Sequence, residues 1–151
     1  MPATILFHDI AAGETVTLKG DVSLTTRALN HPDGALGYRL QWKDRVVSYI
    51  TDTEHIPGQE DGHVVDLIKG SNLAIYDATY TEEELPIYTG WGHSTWQEGA
   101  RLGAKYGAQK LALFHHEACR KDMDLKALEK EAQKVFPSVF AAREGMTVVV
   151  D

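Results

Sequence analysis

LGYRLQWKDRVVSYIT, residues 36–51, contains two runs rich in β-branched and aromatic residues, with the polar pair Lys43-Asp44 between them. Such runs favour extended strands, and a short polar pair between them is typical of a turn. Two similar runs, TVTLK (15–19) and VSLTT (22–26), come earlier and are separated by Gly20-Asp21, and Pro32-Asp33-Gly34 supplies the next turn. Residues 14–53 therefore predict an antiparallel meander.

The rest of the chain alternates between helical and extended patterns. The patterns predict helices over about 59–69, 94–106 and 123–136. Ser94 and Gln97 form a capping box at the start of the second helix, and Pro137 follows the third. Short apolar runs predict buried strands over 73–77, 110–115 and 147–150. This alternation indicates an α/β fold, and the length of 151 residues indicates one domain over 1–151.

Composition narrows the class of protein. Hydrophobic residues at 43% and charged residues at 25% are typical of a globular domain. No apolar run reaches the roughly 18–20 residues that span a bilayer, and the N-terminus lacks a signal-peptide pattern. We therefore expect a soluble, cytoplasmic protein with no membrane partner. The net charge of −7 repels polyanions, so bulk nucleic acid is not the expected partner.

Four polar residues stand at predicted strand ends or at a helix start, where α/β folds place their sites: His31, Asp52, His93 and His115. Cys119 is the only cysteine, so any metal must be held mainly by imidazole and carboxylate. Such ligands suit zinc, manganese or iron, and a bound ion can activate water for hydrolysis. A histidine before a helix N-terminus can meet an anion or protonate a leaving oxygen.

The remaining polar candidates have plainer interpretations. We expect His8, His55, His63 and His116 to lie on the surface or behind the site, since no pattern places them better. Asp77, at the end of a predicted strand, is interpreted as a structural or supporting carboxylate. For the four site candidates the alternative is ordinary structural use, as turn residues, a capping neighbour or a hydrogen-bonded core histidine.

The order of several motifs resembles the C-terminal half of the metallo-β-lactamase fold superfamily, in the branch with ribonuclease Z and related phosphodiesterases. The resemblance covers roughly residues 12–151. The motifs are NHP (30–32) with LGYR (36–39), TDT (51–53), GHST (92–95), LFHH (113–116) with Arg120, and AAREGM (141–146).

The resemblance implies half of an αββα sandwich, that is, an antiparallel or mixed sheet with helices on one face, and a dinuclear metal site. By position, His31 is similar to a ligand of the first metal, Asp52 to the bridging aspartate and His115 to a ligand of the second. His93 resembles the histidine used near the scissile phosphate, so His93 and Asp52 are the implied catalytic residues. The ion is zinc by first expectation, with manganese or iron as alternatives.

The family's HxHxDH motif does not occur in this sequence, so the implied metal site is incomplete. Two interpretations stay open. The first is a hydrolase module for phosphodiester or related ester bonds in small molecules, complemented by an N-terminal half-domain. The second is a catalytically incompetent half-domain that serves as an oligomerisation or interaction module. In both, an apolar sheet face needs cover, and we expect the isolated chain to self-associate as a dimer.

Overall fold

The computed structural model describes residues 5–150, whose strands form a single mixed sheet in sequence order. Three α-helices and one short 3₁₀ helix, Leu85–Ile87, connect the later strands. The strands are β1 (Thr15–Leu18), β2 (Val22–Leu29), β3 (Ala35–Trp42), β4 (Arg45–Ile50), β5 (Leu73–Asp77), β6 (Lys110–Phe114) and β7 (Val139–Ala141). The helices are α1 (Gly62–Ile68), α2 (Trp96–Tyr106) and α3 (Asp122–Val135).

The sheet has an antiparallel part and a parallel part. Strands β1 to β4 pair antiparallel through tight turns, which confirms the predicted meander. Strands β4 to β7 pair parallel, and each connection between them passes through a helix, which confirms the α/β class. A parallel pair needs such a crossover because the chain must return to the same end of the sheet.

All three helices pack on the same face of the sheet. On this face Ser48 of β4 and Arg39 of β3 donate hydrogen bonds to the carbonyl oxygen of Leu67 in α1. Tyr76 of β5 contacts α2 at Gly99, and its pKa is raised by burial. Within residues 5–150, no helix has the length and apolar character needed to cross a bilayer.

The opposite face of the sheet has no helix on it within residues 5–150. Its side chains include Leu40 and Trp42 of β3 and Phe114 of β6, whose exposed fractions are 36%, 48% and 38%. Tyr49 of β4 lies beside Phe114, with ring centroids 6.1 Å apart. We call this the open face. The arrangement matches the expected half sandwich, a mixed sheet with helices on one side only.

Two local predictions are wrong. Residues 147–150 form no strand, because β7 occupies the edge of β6, with Val139 paired to Leu111. A β-branched run favours a strand only where a free sheet edge is available. Helix α2 is capped by Thr95 rather than Ser94, since the Thr95 hydroxyl accepts the amide of Glu98 at 3.2 Å.

Close packing of α2 on β5 predicts opposite effects of the same substitution at two helix positions. A Cβ at Gly99 would lie 2.6 Å from Cδ1 of the fully buried Tyr76, whereas at Gly103 the nearest atom is at 3.4 Å. We expect Gly99→Ala to lower the free energy of unfolding by about 1–3 kcal/mol through overpacking. Gly103→Ala should be neutral or stabilising because alanine favours helix. Urea denaturation measures both, and equal effects would contradict the packing.

Candidate metal centre

The polar side chains at one edge of the sheet follow the carboxyl ends of strands. His31 follows β2, Asp52 follows β4, Asp77 is the last residue of β5 and His115 follows β6. These strands run in the same direction, because β2 and β4 are both antiparallel to β3, and β4 to β6 are parallel. The four side chains therefore meet at one edge, as sites in α/β sheets generally do.

His93 reaches this edge from the loop before α2. The amide of Tyr80 donates to the carbonyl oxygen of Ser94 at 3.0 Å, and the amide of Ser94 donates to Oδ1 of Asp77 at 3.2 Å. The loop is thus fixed along the end of β5. Nδ1 of His93 lies 3.1 Å from Oδ2 of Asp77, and the imidazole is largely buried.

The structure brings together all four residues that the sequence singled out. Nε2 of His115 lies 3.4 Å from Oδ1 of Asp52. The rings of His93 and His115 stack with centroids 4.8 Å apart, and those of His31 and His93 are 5.9 Å apart. Potential ligand atoms of His31, Asp52 and His93 all lie within 4.8 Å of one another, as do those of Asp77, His93 and His115.

These distances suit residues that share a metal ion. Two ligand atoms about 2.1 Å from one tetrahedral ion are about 3.4 Å apart, the separation observed between His115 and Asp52. Imidazole nitrogen and carboxylate oxygen are ligands for zinc, manganese and iron alike. The pair of Asp52 and His115 therefore fits a shared divalent ion, and a potential ligand atom of His31 lies within 4.8 Å of one of Asp52. The donor types do not select one of the three metals.

Asp77 is a supporting carboxylate, as interpreted from its place at the end of a predicted strand, but the sequence did not predict its partners. Its side chain is fully buried. Backbone amides from three segments of the chain donate hydrogen bonds to its two oxygens. Oδ2 accepts the amide of Asp52 at 2.9 Å and contacts His93, while Oδ1 accepts the amides of Thr79 and Ser94. With its oxygens so engaged, Asp77 orients the surrounding residues.

The backbone is strained at two of the candidate ligands. Asp52 has φ of 61° and His115 has φ of 56°, a left-handed conformation that costs a non-glycine residue free energy. Hydrogen bonds hold both residues in place. Asp77 accepts the amide of Asp52 at 2.9 Å, and the hydroxyl of Thr79 lies 2.6 Å from the carbonyl oxygen of His115. Strain of this kind is common at functional sites, where the surroundings fix it.

A glycine allows the loop before α2 to pack against His31. Gly92 is buried, has φ of 88°, and a Cβ added to it would lie 2.1 Å from Cδ2 of His31. Only a residue without a side chain permits this contact. The imidazole of His31 is therefore held between its own turn and the loop that carries His93.

The other histidines lie outside this cluster. His8 and His63 are exposed, as expected. His55 is buried, with Nδ1 2.8 Å from Oγ of Ser94, so it supports the loop from behind. Burial lowers the pKa of His55 and of His116. In contrast, the hydrogen bond to Asp77 raises the pKa of His93, so the protonated imidazole is favoured there.

The contact between Asp77 and His93 predicts that the pKa of His93 in the metal-free protein depends on the carboxylate of Asp77. Asp77→Asn removes the negative charge that favours protonated His93, so the pKa of His93 should fall. Histidine ring resonances followed by NMR across pH measure it. Asp44→Asn, at an exposed carboxylate paired with Arg45, is the control and should leave the His93 titration unchanged. An unaltered pKa of His93 in Asp77→Asn would contradict the assigned hydrogen bond.

Comparison with known proteins agrees with this architecture. The family model described as the beta-lactamase superfamily domain matches residues 3–116. Ribonuclease Z from Brevibacillus brevis is 31% identical over 142 residues, which are 91% of this chain and 41% of that protein. The chain thus spans less than half the length of this relative.

Solved structures share the fold. The metallo-β-lactamase fold protein YhfI from Bacillus subtilis superposes with a TM-score of 0.72 at 20% identity, covering 91% of this chain and 53% of that one. The short form of human tRNase Z superposes with a TM-score of 0.63 at 19% identity, covering 86% and 44%. At such identities the likeness concerns the fold alone. Together with the family match, these findings show that the chain belongs to the metallo-β-lactamase superfamily, in the branch that includes ribonuclease Z.

Proposed function

We propose that this chain is a metal-dependent hydrolase module that acts on phosphodiester or related ester bonds. The observation that carries the proposal is the convergence of His31, Asp52 and His115 from three strand ends, with Nε2 of His115 3.4 Å from Oδ1 of Asp52. Asp52 and His115, which are far apart in sequence, thus meet at a spacing that suits a shared ion. Membership in the superfamily supports the same chemistry.

His31 would help to hold a first divalent ion and His115 a second, with Asp52 as the carboxylate ligand of both. When bound, a divalent ion supplies Lewis-acid activation of water and of the scissile ester. Zinc remains our first expectation. Asp77 keeps the backbone of Asp52 in position by accepting its amide.

His93 would act on the anionic or leaving oxygen of the substrate. Its Nδ1 is engaged by Asp77, which leaves Nε2 as the ring nitrogen that can face a substrate. The hydrogen bond to Asp77 raises the pKa of His93, which favours the imidazolium form with a proton on Nε2. A positioned imidazolium can stabilise a developing negative charge or protonate the leaving group.

The two candidate substrate classes are small phosphodiesters and RNA. The net charge of −7 favours a small substrate. However, several curated relatives carry the name ribonuclease Z, which conflicts with the expectation that bulk nucleic acid is not bound. A local site can bind RNA on an acidic protein, so net charge alone was too coarse a criterion. RNA therefore belongs among the substrates tested.

The second candidate function is an interaction module without catalysis. It is favoured by the small number of candidate ligands in this sequence, which lacks HxHxDH, and by the open face, where Trp42 is 48% exposed. We propose that a second copy of the chain covers this face when no other partner is present. Large apolar side chains exposed on one face of a sheet are typical of an interface.

Removal of the proposed bridging carboxylate predicts loss of metal and of hydrolysis together. We expect purified protein to contain near-stoichiometric zinc, manganese or iron by elemental analysis, and Asp52→Asn to lose it. Hydrolysis of bis(p-nitrophenyl) phosphate and of a short RNA should fall at least about 100-fold, which is about 2.7 kcal/mol in activation free energy.

Asp66→Asn is the matched control, since Asp66 lies on α1 in a surface ion pair with Arg27. It should retain both metal and activity. Hydrolysis that persists in Asp52→Asn and after chelation would contradict the proposal. Metal-free, inactive protein would favour the interaction module.

If the chain self-associates through the open face, a charged substitution on that face should favour the monomer. Trp42→Glu places a charge among apolar side chains and should shift a dimer towards monomer, as measured by sedimentation velocity. Met123→Glu, at a methionine that is 80% exposed on α3 and thus on the helix side of the sheet, is the control and should leave the dimer intact. A wild-type chain that is monomeric at all concentrations would exclude this covering of the face.

A further inference from the structure

Glu54 links the turn that carries His31 to the segment that carries Asp52. The amide of Glu54 donates to the carbonyl oxygen of Asn30 at 2.8 Å, and Nδ2 of Asn30 donates to the carbonyl oxygen of Glu54 at 2.8 Å. Asn30 immediately precedes His31, and Glu54 lies two residues after Asp52. The backbone of Glu54 therefore fixes the spacing of these two candidate ligands.

The side chain of Glu54 reaches a third segment, the loop that leads to His93. Oε2 of Glu54 accepts the amide of Gly90 at 2.7 Å and the amide of Gly92 at 3.0 Å. Hydrogen bonds to an ionised carboxylate are stronger than those between neutral groups. Both glycines have φ of 88°, so the carboxylate holds the loop in a conformation that glycine tolerates.

The loop held by Glu54 is the one that presses on His31. Gly92 packs so closely on the imidazole that a Cβ there would lie 2.1 Å from Cδ2. Glu54 thus constrains His31 in two ways. It fixes the backbone before His31 through Asn30, and it fixes the imidazole ring through Gly92. None of these contacts requires Glu54 itself to touch an ion.

We propose that Glu54 is a positioning residue for the metal centre, whose carboxylate sets the place of the His31 imidazole through Gly90 and Gly92. The inference rests on the proposed function, because it takes His31 as a metal ligand. Groups that orient metal ligands commonly contribute 10- to 100-fold to metal affinity. Glutamine can replace glutamate in this role, because its amide oxygen also accepts both backbone N–H groups.

The test is the affinity for Zn²⁺ of the full chain, measured by isothermal titration calorimetry. We expect Glu54→Ala to weaken binding about 10- to 100-fold, and Glu54→Gln to stay within about threefold of wild type because the acceptor is kept. Glu129→Ala is the matched control. Glu129 lies in α3, and its carboxylate accepts the amide of Ala141 in β7 at 2.8 Å. Removal of this carboxylate should leave zinc affinity unchanged.

A second readout uses the metal-free protein. The NMR resonances of the His31 ring should shift in Glu54→Ala and stay close to wild type in Glu54→Gln. If Glu54→Ala does not fold, Gly92→Ala replaces it, since its Cβ would displace the His31 ring while Glu54 is kept. That variant should also lose zinc affinity.

The outcomes separate this inference from the function on which it rests. Wild-type zinc affinity in Glu54→Ala overturns the positioning role, even where Asp52→Asn abolishes binding and supports the metal centre. Equal losses in Glu54→Ala and Glu54→Gln overturn it too, because they point to charge rather than to hydrogen bonds. If the wild type binds no zinc, the metal centre fails, and unchanged His31 resonances in Glu54→Ala then overturn the positioning role as well.

Discussion

The buried carboxylate of Asp77 is the interaction on which the candidate site depends. A charge without solvent contact is stable only when polar partners surround it, and here Asp52, Thr79, His93 and Ser94 supply them. Each partner belongs to a segment of the site or to its support. Satisfying one buried carboxylate therefore fixes the relative positions of three loops.

The sheet supplies the other constraint, which is direction. Because β2, β4, β5 and β6 run in parallel, every side chain just beyond their carboxyl ends is delivered to one edge. The left-handed backbone at Asp52 and His115 then turns these side chains into the site rather than along the strands. The free energy cost of this strain is offset by hydrogen bonds from the neighbouring strand ends.

The candidate centre and the open face lie on the same side of the sheet. Ile75 and Asp77 are two residues apart in β5, so their side chains project to the same face, away from the helices that pack on Tyr76. Phe114 immediately precedes His115, so a surface that covers this part of the open face would also border the metal centre. The surface that covers this apolar face would therefore also contact the candidate site.

The class of fold and the candidate residues could be predicted from local sequence patterns. Strand runs, turn pairs and motif order lead to the meander, the α/β class and the set His31, Asp52, His93 and His115, because these depend on local propensity and on spacing. Local signals misassigned residues 147–150 and the cap of α2, since a strand needs a free sheet edge and a cap needs a free hydroxyl.

The hydrogen-bond partners of Asp77 and the positioning role of Glu54 follow from the packing of segments that are distant in sequence. Both residues act through hydrogen bonds to backbone amides far away in sequence, at Ser94 for Asp77 and at Gly90 and Gly92 for Glu54. No periodicity or motif encodes such contacts, because they exist only once the strand ends and loops are packed together.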